Sequence, residues 1–229
     1  EMVDFWAVVL NPVAVSKFFH AVFSGWMTGA IFAIGVSCWY LLKKRETKFA
    51  LASIRVSAIV GIIGTFALML SGDSSGIHVG KYQPMKLAAA EGLEEGGTRA
   101  PFSIVPGVEI PGMLSILATH DINGYVPGIN NILEGYTTPD GEVYLSAEEK
   151  MERGKTALAA FTEYRELKDS NPEAAAHARQ ILDENVEYFG YGYIESQDEL
   201  VPNVPLIYWS FRVMVYFGSF LLVLMIFVL

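Results

Sequence analysis

Apolar residues arrive along this chain in three long blocks. Residues 13–42 are almost free of charge, as are 59–71 and 213–229. One crossing of a bilayer core takes ~20 apolar helical residues, which the first and third blocks supply at once. The second does so if it starts near Phe49 and carries Arg55 close to its entry, where a long side chain can snorkel to the interface. The pattern predicts an all-α membrane protein with spanning helices over 13–42, 50–72 and 205–229. The first block lacks the basic lead and the cleavage pattern of a signal peptide, so it reads as a span.

The long interval 73–204 has a different texture. "GDSSGIHVG", residues 72–80, is turn chemistry expected to end the second span. A short helix is expected in "KYQPMKLAAAEGLEEGG", with Pro84 near its start and glycines after it. Residues 98–146, rich in Gly, Pro, Asn and Asp, read as irregular loop. Ser146 followed by Glu148 and Glu149 is an N-cap with early acids, predicting an amphipathic helix to about Leu167. A second helix follows from Asn171-Pro172 to about Phe189. The expectation is a large extracytoplasmic domain, part helical and part irregular.

Charge supplies the orientation. Between the first two spans, Lys43, Lys44, Arg45, Lys48 and Arg55 face Glu46 alone. Short basic loops stay cytoplasmic, so 43–49 is expected inside. Residues 73–203 hold 9 basic and 22 acidic side chains, and 73–204 is expected outside, with 1–12 as an outer-side lead-in. Trp39-Tyr40 and Tyr208-Trp209 fall at the expected boundaries, as interfacial aromatics do. The net charge of −9 over 229 residues fits no nucleic-acid partner, and Cys38, the single cysteine, permits no internal disulfide. Both ends look cut, so the chain is expected to be a piece of a larger multi-pass protein.

Candidate chemistry starts at His20, near the mouth of the first span. A lone membrane histidine commonly hydrogen-bonds a neighbouring helix. Ala21, Gly25, Gly29, Ala33 and Ser37 form a small-residue stripe that by itself favours helix packing. The third span adds Arg212 and Met214 at similar depth. Imidazole and thioether are an axial pair suited to a low-spin haem, and a guanidinium can pair with a propionate. Core filling by Met214 and snorkelling by Arg212 are the plain alternatives. His78, His120 and His177 have no metal-ligand spacing.

The stretches "NPVAVSKFFHAVFSGWMTGA", "GDSSG", "QPMKLAAAEG", "ERGKTAL" and "FRVMV", in that order, resemble subunit I of the bacterial cytochrome bd-type quinol oxidases. The resemblance covers essentially the whole chain, and "QPMKLAAAE" is its most specific piece. It implies that His20 and Met214 are the axial ligands, and so the iron ligands, of the low-spin haem b, with Arg212 serving haem charge. It also implies that Lys86 and Glu91 act in quinol oxidation on the family's Q-loop. Glutamate would be the general base and lysine the partner of the quinone oxygen. Five residues apart on a helix is about 140° of rotation, so the two do not share one face.

A high-spin haem b and haem d are implied for the complete subunit, on helices absent from this chain. Partners implied are quinol, the remainder of subunit I, subunit II, small accessory subunits and membrane lipid. The location implied is the bacterial cytoplasmic membrane. Two other classes stay open: a b-type membrane cytochrome that relays electrons without oxidising quinol, and a non-redox receptor or assembly subunit.

Overall fold

The computed structural model describes residues 4–229, so the first three residues of the expected 1–12 lead-in lie outside the described residues. The fold is an all-α membrane fold: three helices are long and apolar enough to cross a bilayer, and the strands are short. The chain divides into two compact units. One, the membrane unit, runs up to Tyr82 and resumes at Trp209–Leu229; the other, the interspan unit, is Gln83–Tyr208.

In the membrane unit, Asp4 caps a short helix α1, Phe5–Val9, by accepting from the Trp6 and Ala7 N–H groups. Helix α2, Pro12–Leu42, follows at once. Asn11 caps it by accepting from Val13 N–H at 2.9 Å, and Pro12 sits where a missing N–H is harmless. Lys44 and Glu46, both with positive φ, turn the chain into α3, Thr47–Tyr82. The third long helix, α9, is Val204–Val228.

Helix α3 overturns one expectation. The stretch 72–80, read as a turn, is helical. A helix-interior glycine costs only about 1 kcal/mol relative to alanine, and nearly every side chain from 71 to 80 is half-buried, so packing offsets it. The helix stops instead at Gln83, the residue before Pro84, where the proline ring disfavours helical backbone.

The interior of this unit is made of small contacts. Met27, Ala30, Ile34, Ala58 and Met225 form its core. A Cβ at Gly61 would run into the Met225 sulfur and lie 2.9 Å from Ala30 Cβ; one at Gly64 would lie 3.2 Å from Trp26 Cβ. These glycines let the helices close on one another, as small residues do in lipid. Ser37 Oγ donates to Ala33 O at 2.7 Å and lies 3.0 Å from Ser53 Oγ, joining α2 to α3 by a polar contact.

The interspan unit is built around α4, Pro84–Glu91. Ala88 packs with Ile129 and Ile132, while Leu87 packs on the cluster of Ala100, Leu114, Ala118 and Val126. Residues 98–146, expected as irregular loop, instead hold ordered small elements. Two-stranded antiparallel ribbons pair β1 (Gly97–Thr98) with β4 (Tyr125–Val126), β2 (Phe102–Val105) with β3 (Val108–Ile110), and β5 (Tyr136–Thr137) with β6 (Val143–Tyr144). Helices α5 (Met113–Thr119) and α6 (Ile129–Glu134) lie between them. The turn residues seen in the sequence make the ribbons: Gly107 and Gly141 adopt the positive φ that hairpin turns need.

Two longer helices complete this unit. Helix α7, Ala147–Leu167, opens with a capping box in which Ser146 Oγ accepts from Glu149 N–H and the Glu149 carboxylate accepts from Ser146 N–H. Helix α8, Pro172–Asn185, packs Leu182 against Ala157 and Ala160, and a 3-10 segment, Val186–Tyr193, follows. Within "ERGKTAL", a Cβ at Gly154 would overlap the Gly192 and Tyr188 backbone, so this glycine permits main-chain contact.

Candidate functional site

His20 belongs to the inward stripe of α2, with Ser16, Met27, Ala30 and Ile34, at spacings of three, four and seven residues. Its ring is half-buried against the far end of α3. Nδ1 lies 3.2 Å from Ser71 Oγ, and a Cβ on Gly72 would sit 3.3 Å from His20 Cε1. Because α2 and α3 form a hairpin about the 43–46 turn, a residue near the start of one meets a residue near the end of the other.

The small-residue stripe beside His20 does not stay on one face. A four-residue repeat advances 40° per step on a 3.6-residue helix, so it winds around α2. Ser37 ends up buried against α3, whereas Ala21, Gly25 and Gly29 are exposed, and both glycines have open space where a Cβ would be.

Met214 sits on the same face of α9 as Gly218, Leu221 and Met225; eleven residues of helix bring the face back to within about 20°. The two methionines differ in burial. Met225 is fully buried, whereas Met214 is 56% exposed, and a Cβ at Gly218 between them would meet nothing within 4 Å. The stripe is closed by packing at Met225 and open at Met214. Successive spans alternate in direction, so α9 runs the same way as α2. His20 then lies about 15 Å above Ala30, and Met214 about 16 Å above Met225, at 1.5 Å per residue. Counted by helical rise, the two candidates stand at similar distances from the core cluster that Ala30 and Met225 share.

Arg212 is 2% exposed, with its guanidinium 5.4 Å from the Phe211 ring centroid. A snorkelling side chain would keep its head group at the surface, and this one does not.

In the interspan unit the two other candidates differ just as sharply. Glu91, the last residue of α4, is 5% exposed; Lys86, near its start, is exposed. The helix ends at Gly92 with φ 64°, where a Cβ would come 3.2 Å from the Tyr208 ring. Tyr208 is held in turn by a 2.8 Å hydrogen bond with Ser103 Oγ. After Gly92 the chain is stitched to α6. Asn131 Oδ1 accepts from Gly96 and Gly128 N–H, while Asn130 and Asn131 side-chain amides donate to Glu95. Tyr136, which packs against the Ala88 cluster, has its hydroxyl pushed well above the usual tyrosine range by burial and by its neighbours Tyr144 and Tyr125. It is a neutral donor at any physiological pH. Burial pushes the Lys150 ammonium down, opposed by nearby Glu187. Among the described residues no cluster of three His, Cys, Asp or Glu could hold a metal ion.

Ser71 and Gly72 are the neighbours that sequence reasoning missed. Gly72 opens the stretch where a turn was expected and Ser71 stands just before it, and only continuation of the α3 stripe past Leu70 would have pointed to them.

These features define a multi-pass helical membrane protein with an ordered hydrophilic unit inserted between its second and third spans. The chain belongs to the cytochrome bd terminal oxidase subunit I family, whose model matches residues 1–229. Cytochrome bd-II ubiquinol oxidase subunit 1 of Escherichia coli (strain K12) is 33% identical over 98% of this chain and 46% of its own length. Cytochrome bd ubiquinol oxidase subunit 1 of Bacillus subtilis (strain 168) is 35% identical over 59% of this chain and 32% of its own length. The chain therefore spans less than half the length of these relatives. The bd oxidase from Geobacillus thermodenitrificans has the same fold, with a TM-score of 0.51 at 22% identity, over 97% of this chain and 60% of that one.

Proposed function

We propose that this chain is the electron-entry part of a quinol:oxygen oxidoreductase, oxidising quinol at Lys86 and Glu91 and passing the electrons to a low-spin haem b held by His20 and Met214. The observation that supports the haem reading is the shared core cluster of Ala30 on α2 and Met225 on α9, with His20 ten residues before the one and Met214 eleven before the other, and open space beside Gly218. That donor set fits a six-coordinate haem iron. When bound, such a haem supplies a one-electron acceptor whose potential the thioether raises. Arg212, buried two residues before Met214, is suited to offset a propionate charge that would otherwise be costly to desolvate.

Quinol oxidation removes two protons with two electrons. The Glu91 carboxylate is the base for a quinol hydroxyl, and Lys86 donates to the other oxygen as it gains anionic character. Their faces differ by about 140°, so a head group meets both only by inserting at the edge of α4 or where the helix breaks at Gly92. Residues 43–49 face the cytoplasm and 73–204 lie outside, so the protons leave on the outer side of the bacterial cytoplasmic membrane. A high-spin haem b and haem d belong to the remainder of the subunit, which works with subunit II, small accessory subunits and lipid.

The test is ligand replacement in the intact oxidase. Met214→Leu keeps the volume, and the low-spin haem should become high-spin. His20→Ala should lose that haem altogether. A low-spin spectrum unchanged in both variants would overturn the assignment.

A further inference from the structure

The hydrogen bonds around His20 settle more than its position. Ser71 Oγ lies 3.0 Å from Leu68 O, one turn back in α3, and 3.2 Å from His20 Nδ1. A serine hydroxyl has one proton and two lone pairs. The Ser71 hydroxyl donates to the Leu68 carbonyl. With its proton there, Ser71 Oγ offers the ring a lone pair, which assigns the donor role to Nδ1. A neutral imidazole carries one N–H, so the proton on Nδ1 leaves Nε2 unprotonated, with its lone pair free to bind a metal. Two further contacts hold this geometry. Ser16 Oγ, one turn before His20 on α2, donates to Ser71 O at 3.4 Å, and Gly72 leaves room for the Cε1 edge of the ring.

We infer that Ser71 is a positioning residue for His20, fixing the tautomer and ring orientation that present Nε2 to the haem iron. This rests on the haem reading above. A ligating histidine that donates its other N–H is a stronger base and so favours the ferric over the ferrous iron. The same hydroxyl that orients the ring therefore holds the midpoint potential down.

The experiment uses the purified oxidase complex with Ser71→Ala, Ser71→Val and Ser71→Thr, the last two matched in shape but differing in the hydroxyl. Haem content is measured as the pyridine haemochrome, and the low-spin haem is titrated potentiometrically. Outer partners of metal ligands typically matter 10–100-fold. At a fixed ambient potential the ferric-to-ferrous ratio should therefore fall about tenfold in the Ala and Val variants and stay at the parent value in the Thr variant. If Ala and Val lose the haem while Thr keeps it, the hydroxyl is again the cause and the inference stands. Parent-like titration in Ala and Val overturns it, as does a Thr variant that shifts or loses haem as much as Val. His20→Ala is titrated alongside: retention of the low-spin haem there sinks the haem reading itself. Loss of the haem there, with Ser71→Ala and Ser71→Val titrating like the parent, sinks only the role of Ser71.

Discussion

In the membrane unit, Phe32, Phe66, Phe217 and Phe227 point outward, while Gly61, Gly64, Ala30, Ala58 and Thr65 are inside. In the interspan unit the order is the familiar one, with Leu114, Val126, Ile129 and Leu182 buried under charged surfaces. The difference follows from the solvent. Lipid rewards large apolar side chains on the outside and leaves close backbone approach and hydrogen bonds to hold helices together, whereas water drives the same side chains inward. The candidate residues divide along the same line. His20 is held by one hydroxyl in an apolar setting. Glu91 is buried at the end of a short helix whose neighbours are knit by a dense set of side-chain to backbone bonds.

The largest expected effect separates the two chemistries. In the intact oxidase, Glu91→Gln keeps the size and hydrogen-bonding capacity of the side chain but removes the proposed base. A general base contributes about 10²–10⁴-fold, so quinol oxidation should fall by that much while the haem spectrum stays normal. An artificial donor that reduces the haem directly should bypass the defect. If turnover falls about tenfold or less, Glu91 is structural; if the artificial donor fails too, the damage reaches the haem, and the division between the units does not hold.

What could be read from the sequence follows the same division. The three spans, the Ser146 cap and the α7–α8 pair were legible because each leaves a local mark: a length of apolar chain, a cap residue with acids behind it, a 3.6-residue period. The inward faces of α2 and α3 were not legible, because a helix that is apolar all round does not say which side packs. Small and polar residues such as Ser16, Ser37 and Gly61 mark those faces only in hindsight. The 72–80 stretch was misread because glycine and serine carry the same local signal in a turn and in a packed membrane helix. Lys86 and Glu91 came from motif resemblance, and burial of Glu91 at the α4 terminus depends on contacts distant in sequence.

A second variant tests the packing side of the comparison. Gly61→Val adds apolar bulk in the membrane unit, where the first added carbon already meets the Met225 sulfur and Ala30. Overpacking of this kind costs about 1–3 kcal/mol, so the oxidase should lose haem at a lower temperature in a thermal scan of the haem spectrum. Because the far end of a flexible methionine is one of the two obstacles, adding Met225→Ala should recover part of the loss, a coupling seen in a double-mutant cycle. An unchanged transition in Gly61→Val would mean the helices separate freely and small residues do not hold this unit together.

The smallest effect belongs to the interspan unit and to a purely local signal. Ser146→Ala removes the hydroxyl that accepts from Glu149 N–H at 3.2 Å, and also one of the partners of the Glu149 carboxylate. Loss of such a cap costs about 1 kcal/mol, far below the stability of the assembled unit, so neither quinol turnover nor the haem spectrum should move. The cost is confined to the first turn of α7, where amides lose their terminal acceptor. Hydrogen exchange of residues 147–150 in the purified oxidase should therefore quicken about fivefold, the factor equivalent to that loss, while exchange near Leu182 stays constant. Ser146→Asp, which restores an acceptor and adds charge at a helix N-terminus, should return the parent rate. Equal quickening across α7 and α8 would show that the cap holds the whole helical pair. The interspan unit would then be less locally built than its sequence implies.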